Sequence, residues 1–77
     1  MDIKLIDFNM RVSPEYRLQC FEALLNNLED PELSFENLSG KQCSWHRLEF
    51  ADKTIIRYTI VKNKTCYTVY FSEEKSK

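Results

Sequence analysis

The side chains able to do chemistry in this chain are few and scattered. Three cysteines, Cys20, Cys43 and Cys66, and one histidine, His46, are its only thiol and imidazole groups. An odd number of cysteines without CxxC spacing argues against a closed disulfide framework, and a single histidine gives no second imidazole for a common zinc site. The thiols read as reduced and independent, two of them half buried. His46 could act as a base beside a thiolate, but no orienting acid or oxyanion loop accompanies it. At the start of a strand it reads better as a hydrogen-bonded boundary residue. Gly40-Lys41 lacks both the first glycine of a phosphate-binding loop and the hydroxyl after the lysine. Glu29, Asp30, Glu32, Glu73 and Glu74 read as solvated charge rather than as paired acid and base. No metal or cofactor is expected, and no catalytic residue is assigned from the residues alone.

What remains is a set of recognition residues: Trp45, Arg47, Arg57 and Tyr70. Arginine, tryptophan and tyrosine are enriched at interface hot spots and can also hold phosphate or stack on bases. Whether they converge depends on the strands that carry them. Residues 45–71 contain three segments rich in β-branched and aromatic residues, separated by Ala51-Asp52-Lys53 and Lys62-Asn63-Lys64. This pattern predicts a three-stranded antiparallel meander. Alternation puts His46, Leu48 and Phe50, then Ile56, Tyr58 and Ile60, then Tyr67, Val69 and Phe71 on one apolar face. A three-residue turn at Ala51-Asp52-Lys53 pairs Phe50 with Thr54 and sets Leu48 beside Ile56. A two-residue turn at Asn63-Lys64 pairs Lys62 with Thr65 and sets Ile56 beside Phe71, with Asn63 tolerating positive φ. On the opposite face this register aligns Arg47, Arg57 and Tyr70 in one transverse row and Trp45, Thr59 and Thr68 in the next. Facing arginines repel, so the row calls for an anion, and Glu49, diagonal to Arg57, is the internal candidate.

The rest of the chain must cover the apolar face. Ser13-Pro14-Glu15 supplies an N-cap hydroxyl, a proline suited to the first helical position and an acid favoured by the helix dipole. Leu18, Phe21, Leu25 and Leu28 then recur at helical spacing, widened by Leu24, with Arg17, Glu22, Asn26 and Asn27 opposite. Asp30-Pro31 ends the helix. Residues 1–8 alternate imperfectly and predict a further strand. Residues 32–42 read as a connecting loop anchored by Leu33, Phe35 and Leu38, and residues 72–77 as a frayed polar tail. The fold class is therefore α+β: one domain over residues 1–77, one helix packed on an antiparallel sheet, the meander C-terminal and an N-terminal strand added.

Composition narrows the function classes. At 77 residues the core is small. A hydrophobic fraction of 43% marks a folded chain rather than a disordered one. Lys+Arg 11 against Asp+Glu 12 provides no overall basic field, so DNA is not an expected partner. The apolar runs are too short to span a membrane, and the first residues alternate in charge instead of forming a signal peptide. A cytoplasmic protein is expected.

The order strand, helix, Leu38-Ser39-Gly40-Lys41, then a meander carrying Trp45-His46-Arg47-Leu48-Glu49-Phe50 and Ile55-Ile56-Arg57-Tyr58-Thr59-Ile60 resembles the RelE/ParE toxin superfamily over residues 38–71. The resemblance implies a ribosome-dependent mRNA endonuclease, or an inactive relative, with a neutralising antitoxin as partner. In that case Arg47 matches the arginine of the earlier strand, and Arg57 and Tyr70 take the phosphate and acid/base roles. The family's arginine a few residues before the tyrosine is Ile55 here, and its basic C-terminal segment is Ser72-Glu73-Glu74-Lys75. The residues themselves favour a different class: a non-enzymatic protein-binding module or inhibitor, of the kind a phage or plasmid carries, acting through Trp45, Arg47, Arg57 and Tyr70.

Overall fold

A computed structural model describes residues 5–74, with side chains from residue 9 onward. Within that span the order is β1 (Leu5–Arg11), α1 (Pro14–Glu29), β2 (Glu36–Leu38), β3 (Lys41–Glu49), β4 (Ile55–Lys62) and β5 (Cys66–Glu74). The five strands form one mixed sheet in the order β1-β5-β4-β3-β2, antiparallel throughout except that β1 lies parallel to β5. One helix and a mostly antiparallel sheet give the α+β class. The predicted N-terminal strand is present from Leu5, while residues 1–4 lie outside the described residues. No described helix is long and apolar enough to cross a membrane.

The β3–β4 hairpin has the expected register. Phe50 N donates to Thr54 O at 3.0 Å, Leu48 faces Ile56 and Arg47 faces Arg57. Its three-residue loop closes with Lys53 at φ 70°, the left-handed conformation in which this loop class normally places glycine. Two clamps hold it there. Asp52 accepts from Thr54 N at 2.9 Å, and the Tyr16 hydroxyl on α1 donates to Asp52 while lying 3.1 Å from Thr54 Oγ1. The Tyr16 bond holds the Asp52 carboxyl below its usual range and raises the Tyr16 hydroxyl above its own.

The β4–β5 hairpin is shifted from the expected register by two residues. Asn63 N donates to Cys66 O, so the two-residue loop is Lys64-Thr65, and Ile56 faces Glu73 while Tyr58 faces Phe71. Neither Asn63 nor the loop residues take positive φ. Thr65 is β-branched and disfavours it, and Asn63 uses its amide instead, donating to Thr68 Oγ1 at 3.1 Å. A shift of two preserves the face of every residue, so the apolar set stays inside.

Two other expectations fail locally. Residues 32–42 are not all loop. Glu36–Leu38 pairs with Lys41–Cys43 across a turn in which Ser39 and Gly40 take φ 52° and 83°, and Asn37 Oδ1 accepts from Gly40 N. Successive positive φ values define a primed hairpin turn. Nor do residues 72–74 fray: they continue β5, because Glu73 reaches across the inner face to accept from Ser13 N at 2.8 Å. Glu73 thus binds the start of α1, whereas the Ser13 hydroxyl makes no capping bond.

The core lies between α1 and the inner sheet face, with Val12, Cys20, Leu24, Ile56, Tyr58, Ile60, Val69 and Phe71 buried together. The helix is rotated from its expected setting. Its sheet-facing side is Tyr16, Cys20, Ala23, Leu24 and Leu28, while Leu18 and Leu25 are 67% and 52% exposed. Directly beneath α1 the sheet presents the row His46, Tyr58 and Phe71, whose rings stack at 5.0 and 4.9 Å. Small Cys20 and Ala23 lie on the same side as Leu24 and Leu28, so the helix seats a mixed small-and-large face against the sheet.

Candidate functional site

With α1 covering one face only, the outer face of the sheet is left open, and strand alternation brings the recognition residues to it. Arg47, Arg57, Ser72 and Arg11 occupy one transverse row; Trp45, Thr59, Tyr70 and Asn9 occupy the next. Tyr70 therefore lies one row from its expected place, beside Thr59 rather than Arg57, as a direct result of the two-residue register shift. Thr68, expected beside Thr59, faces Val61 instead. Arg11 joins the row unanticipated by the sequence. Only the pairing of β1 with β5 could have revealed it, and strand order is not encoded in local pattern.

The facing arginines are neutralised, though not as expected. Glu49 binds its own-strand neighbour Arg47 at 2.6 Å, and Glu74 at the end of β5 reaches Arg57 Nε at 3.5 Å. Both pairs are more than half exposed or close to it, which keeps them weak and exchangeable. Arg11 has no ion-pair partner among the described residues. Two shallow depressions flank Arg57. One of about 600 Å³ is lined by Trp45, Arg47, Arg57, Thr59 and Ser72. The other, of about 280 Å³, is lined by Asn9, Arg11, Arg57, Thr59 and Tyr70. Trp45 and Tyr70, 51% and 49% exposed, bracket Thr59. The four residues singled out by sequence thus share one open surface, with Arg57 at its centre.

His46 is elsewhere. It faces inward, stacks on Tyr58 and shares a 2.7 Å hydrogen bond between Nε2 and Ser44 Oγ. Burial lowers its pKa and favours the neutral ring. Ser44 is itself buried, and His46, bonded to it and stacked on Tyr58, fits the boundary role expected of a lone histidine. Cys20, Cys43 and Cys66 are free thiols, two of them buried and Cys66 half buried. Burial, reinforced by the Glu73 charge, raises the Cys20 thiol and makes it a poor nucleophile. No group of three or more potential metal ligands clusters among the described residues. Neither a family model, nor a curated protein, nor a solved structure matches this chain.

Proposed function

We propose that the chain is a small cytoplasmic protein-binding module, an inhibitor in kind, that engages a protein partner through the outer sheet face bearing Trp45, Arg47, Arg57 and Tyr70. The observation that carries this reading is the exposure of Trp45 and Tyr70 in the row next to an arginine row that no described element covers. Large aromatics and arginines at the centre of an open patch are the residues that dominate interface energies. The weak Arg47–Glu49 and Arg57–Glu74 pairs keep the guanidiniums solvated and available, while preventing mutual repulsion in the free protein. Three unpaired thiols support the cytoplasmic placement.

Affinity capture from the native cell, with mass spectrometry of the bound proteins, tests the reading. A specific partner is expected, and Arg57→Ala should weaken its capture by more than ~1 kcal/mol while the variant stays folded. Undiminished capture by Arg57→Ala and by Trp45→Ala together would remove the outer face from consideration.

The ribonuclease reading implied by the RelE/ParE resemblance has one observation in its favour: Arg11, Arg57 and Tyr70 line the same shallow depression. It predicts that expression arrests growth and cuts ribosome-bound mRNA at codon-defined positions, with Arg57→Ala abolishing both. The binding-module reading predicts intact mRNA.

A further inference from the structure

The sheet has an open edge whose charge pattern complements itself. β2 pairs with β3 only from Lys41 to Cys43, so the remainder of β3, through Glu49, has no neighbour on that side among the described residues. The bonding phase of this edge follows from the hairpin. Phe50 bonds to Thr54, so the even-numbered residues of β3 direct their main-chain groups to β4 and the odd-numbered ones direct theirs away. Cys43 spends its outward groups on Glu36. The N–H and C=O groups of Trp45, Arg47 and Glu49 are left pointing into solvent, along a strand flanked by exposed Trp45 outside and half-buried Leu48 inside.

We propose that this edge binds a second copy of the chain, β3 against β3 in antiparallel two-fold pairing centred on Leu48, to give one continuous sheet across the dimer. Of the two-fold registers that satisfy the outward groups, centring on Arg47 sets Arg47 against itself. Centring on His46 brings Glu49 of the second copy opposite Cys43, where β2 already sits. Centring on Leu48 avoids both. It sets Arg47 against Glu49 of the second copy, twice by symmetry, and each such pair exchanges both main-chain bonds. Leu48 meets Leu48 on the inner side, and His46 meets Phe50. Edge charges usually discourage strand addition. Here the alternation of Arg47 and Glu49 permits one register and penalises its neighbours. Because Arg47 and Glu49 already pair within the monomer at 2.6 Å, association exchanges one ion pair for another, and the dimer is concentration-dependent rather than obligate. This inference shares Trp45 and Arg47 with the outer-face binding reading but uses neither Arg57 nor Tyr70, so substitutions at Arg57 separate the two.

Sedimentation equilibrium of the full chain from micromolar to millimolar concentration tests it. The expected result is a reversible rise in mass from 9.2 kDa to twice that value. Glu49→Arg should keep the protein monomeric at every concentration with its circular dichroism unchanged. The reciprocal swap, Arg47→Glu with Glu49→Arg, should restore the dimer. Amide exchange at Arg47 and Glu49 should slow on concentration in the wild type and not in Glu49→Arg. A monomer at millimolar concentration, failure of the swap to restore association, or a dimer with these amides unprotected each overturns the proposal. Arg57→Ala, which should impair partner capture, should leave the dimer intact.

Discussion

On the inner side of β4, Ile56, Tyr58 and Ile60 are sealed beneath α1; on the outer side the residues between them, Arg57 and Thr59, meet solvent. The two faces belong to the same strands and differ only in the parity of their positions. Inside, burial satisfies every polar group it traps: no buried side-chain nitrogen or oxygen lacks a partner among the described residues. Tyr58 donates its hydroxyl to Asn27, and His46 pairs with Ser44. Outside, charges are paired loosely and large aromatics are left uncovered. The contrast separates a face that specifies the fold from one whose residues stability does not explain, and the second is where function should be sought.

The sharpest way to break that contrast is to truncate across it. Ile56 and Phe71 are almost completely buried, so Ile56→Ala and Phe71→Ala should each cost about 3–5 kcal/mol in urea melts. Thr59→Ala, on the outer side of the same strand, should cost about 0.5 kcal/mol or less. Comparable losses from all three would place the core on the wrong face. Leu48→Ala should fall between, because Leu48 is only half buried.

Next in size is Tyr58, where ring packing and a polar bond coincide. Tyr58→Phe keeps the stack on His46 and Phe71 but strands the Asn27 side chain, at a cost of about 1–3 kcal/mol. Burial pushes the Tyr58 hydroxyl up to about 12 from an ordinary 10.0. A raised folded-state pKa means the unfolded chain loses this proton first. The stabilisation is therefore complete below pH 10 and is lost as pH climbs towards 12. Tyr58→Phe should flatten that alkaline decline in a pH series of melts. His46 has the opposite dependence: its lowered pKa makes stability fall as pH drops below 6.5, and His46→Gln should remove that acid slope.

These residues also show what the sequence could convey. Strand alternation is a period of two, so it assigned His46, Leu48, Ile56, Tyr58, Val69 and Phe71 to the inner face without knowledge of register, and the β3–β4 loop length then fixed the pairing of Arg47 with Arg57. The β4–β5 register was illegible because shifts of two residues preserve parity, and the choice rests on whether Asn63 takes positive φ or spends its side chain on Thr68. The exact rotation of the helix is ambiguous in sequence for a related reason. Of the expected stripe, Leu24 and Leu28 seat on the sheet with Tyr16 and Cys20, while Leu18, Phe21 and Leu25 turn towards solvent. Which part of the stripe seats is a tertiary fact. Trp45, Arg47, Arg57 and Tyr70 could be assigned to one surface by parity alone, whereas Arg11 required the pairing of β1 with β5.

A smaller effect sharpens the comparison at the hairpin tip. Lys53 holds a left-handed φ of 70° at an exposed position. Lys53→Gly should remove that strain and raise stability by about 0.5–1 kcal/mol, after allowing for the greater entropy of an unfolded glycine. A destabilised variant would mean that the lysine side chain contributes more to the turn than its backbone costs.

The smallest expected effect bears most directly on the outer face. Glu74 touches Arg57 through one long contact of 3.5 Å, with both side chains half exposed. A pair of this kind contributes about 0–1 kcal/mol and is screened by salt. Glu74→Gln should therefore change stability by no more than about 0.5 kcal/mol, and by less still at high ionic strength. If Arg57 is held ready for a partner, the same substitution should tighten capture, because the guanidinium no longer has to leave Glu74 before it binds. If Arg57 instead serves to brace β4 against the end of β5, Glu74→Gln should cost stability and leave capture unchanged. Measuring both quantities on one variant decides whether this face is part of the scaffold or the surface the scaffold presents.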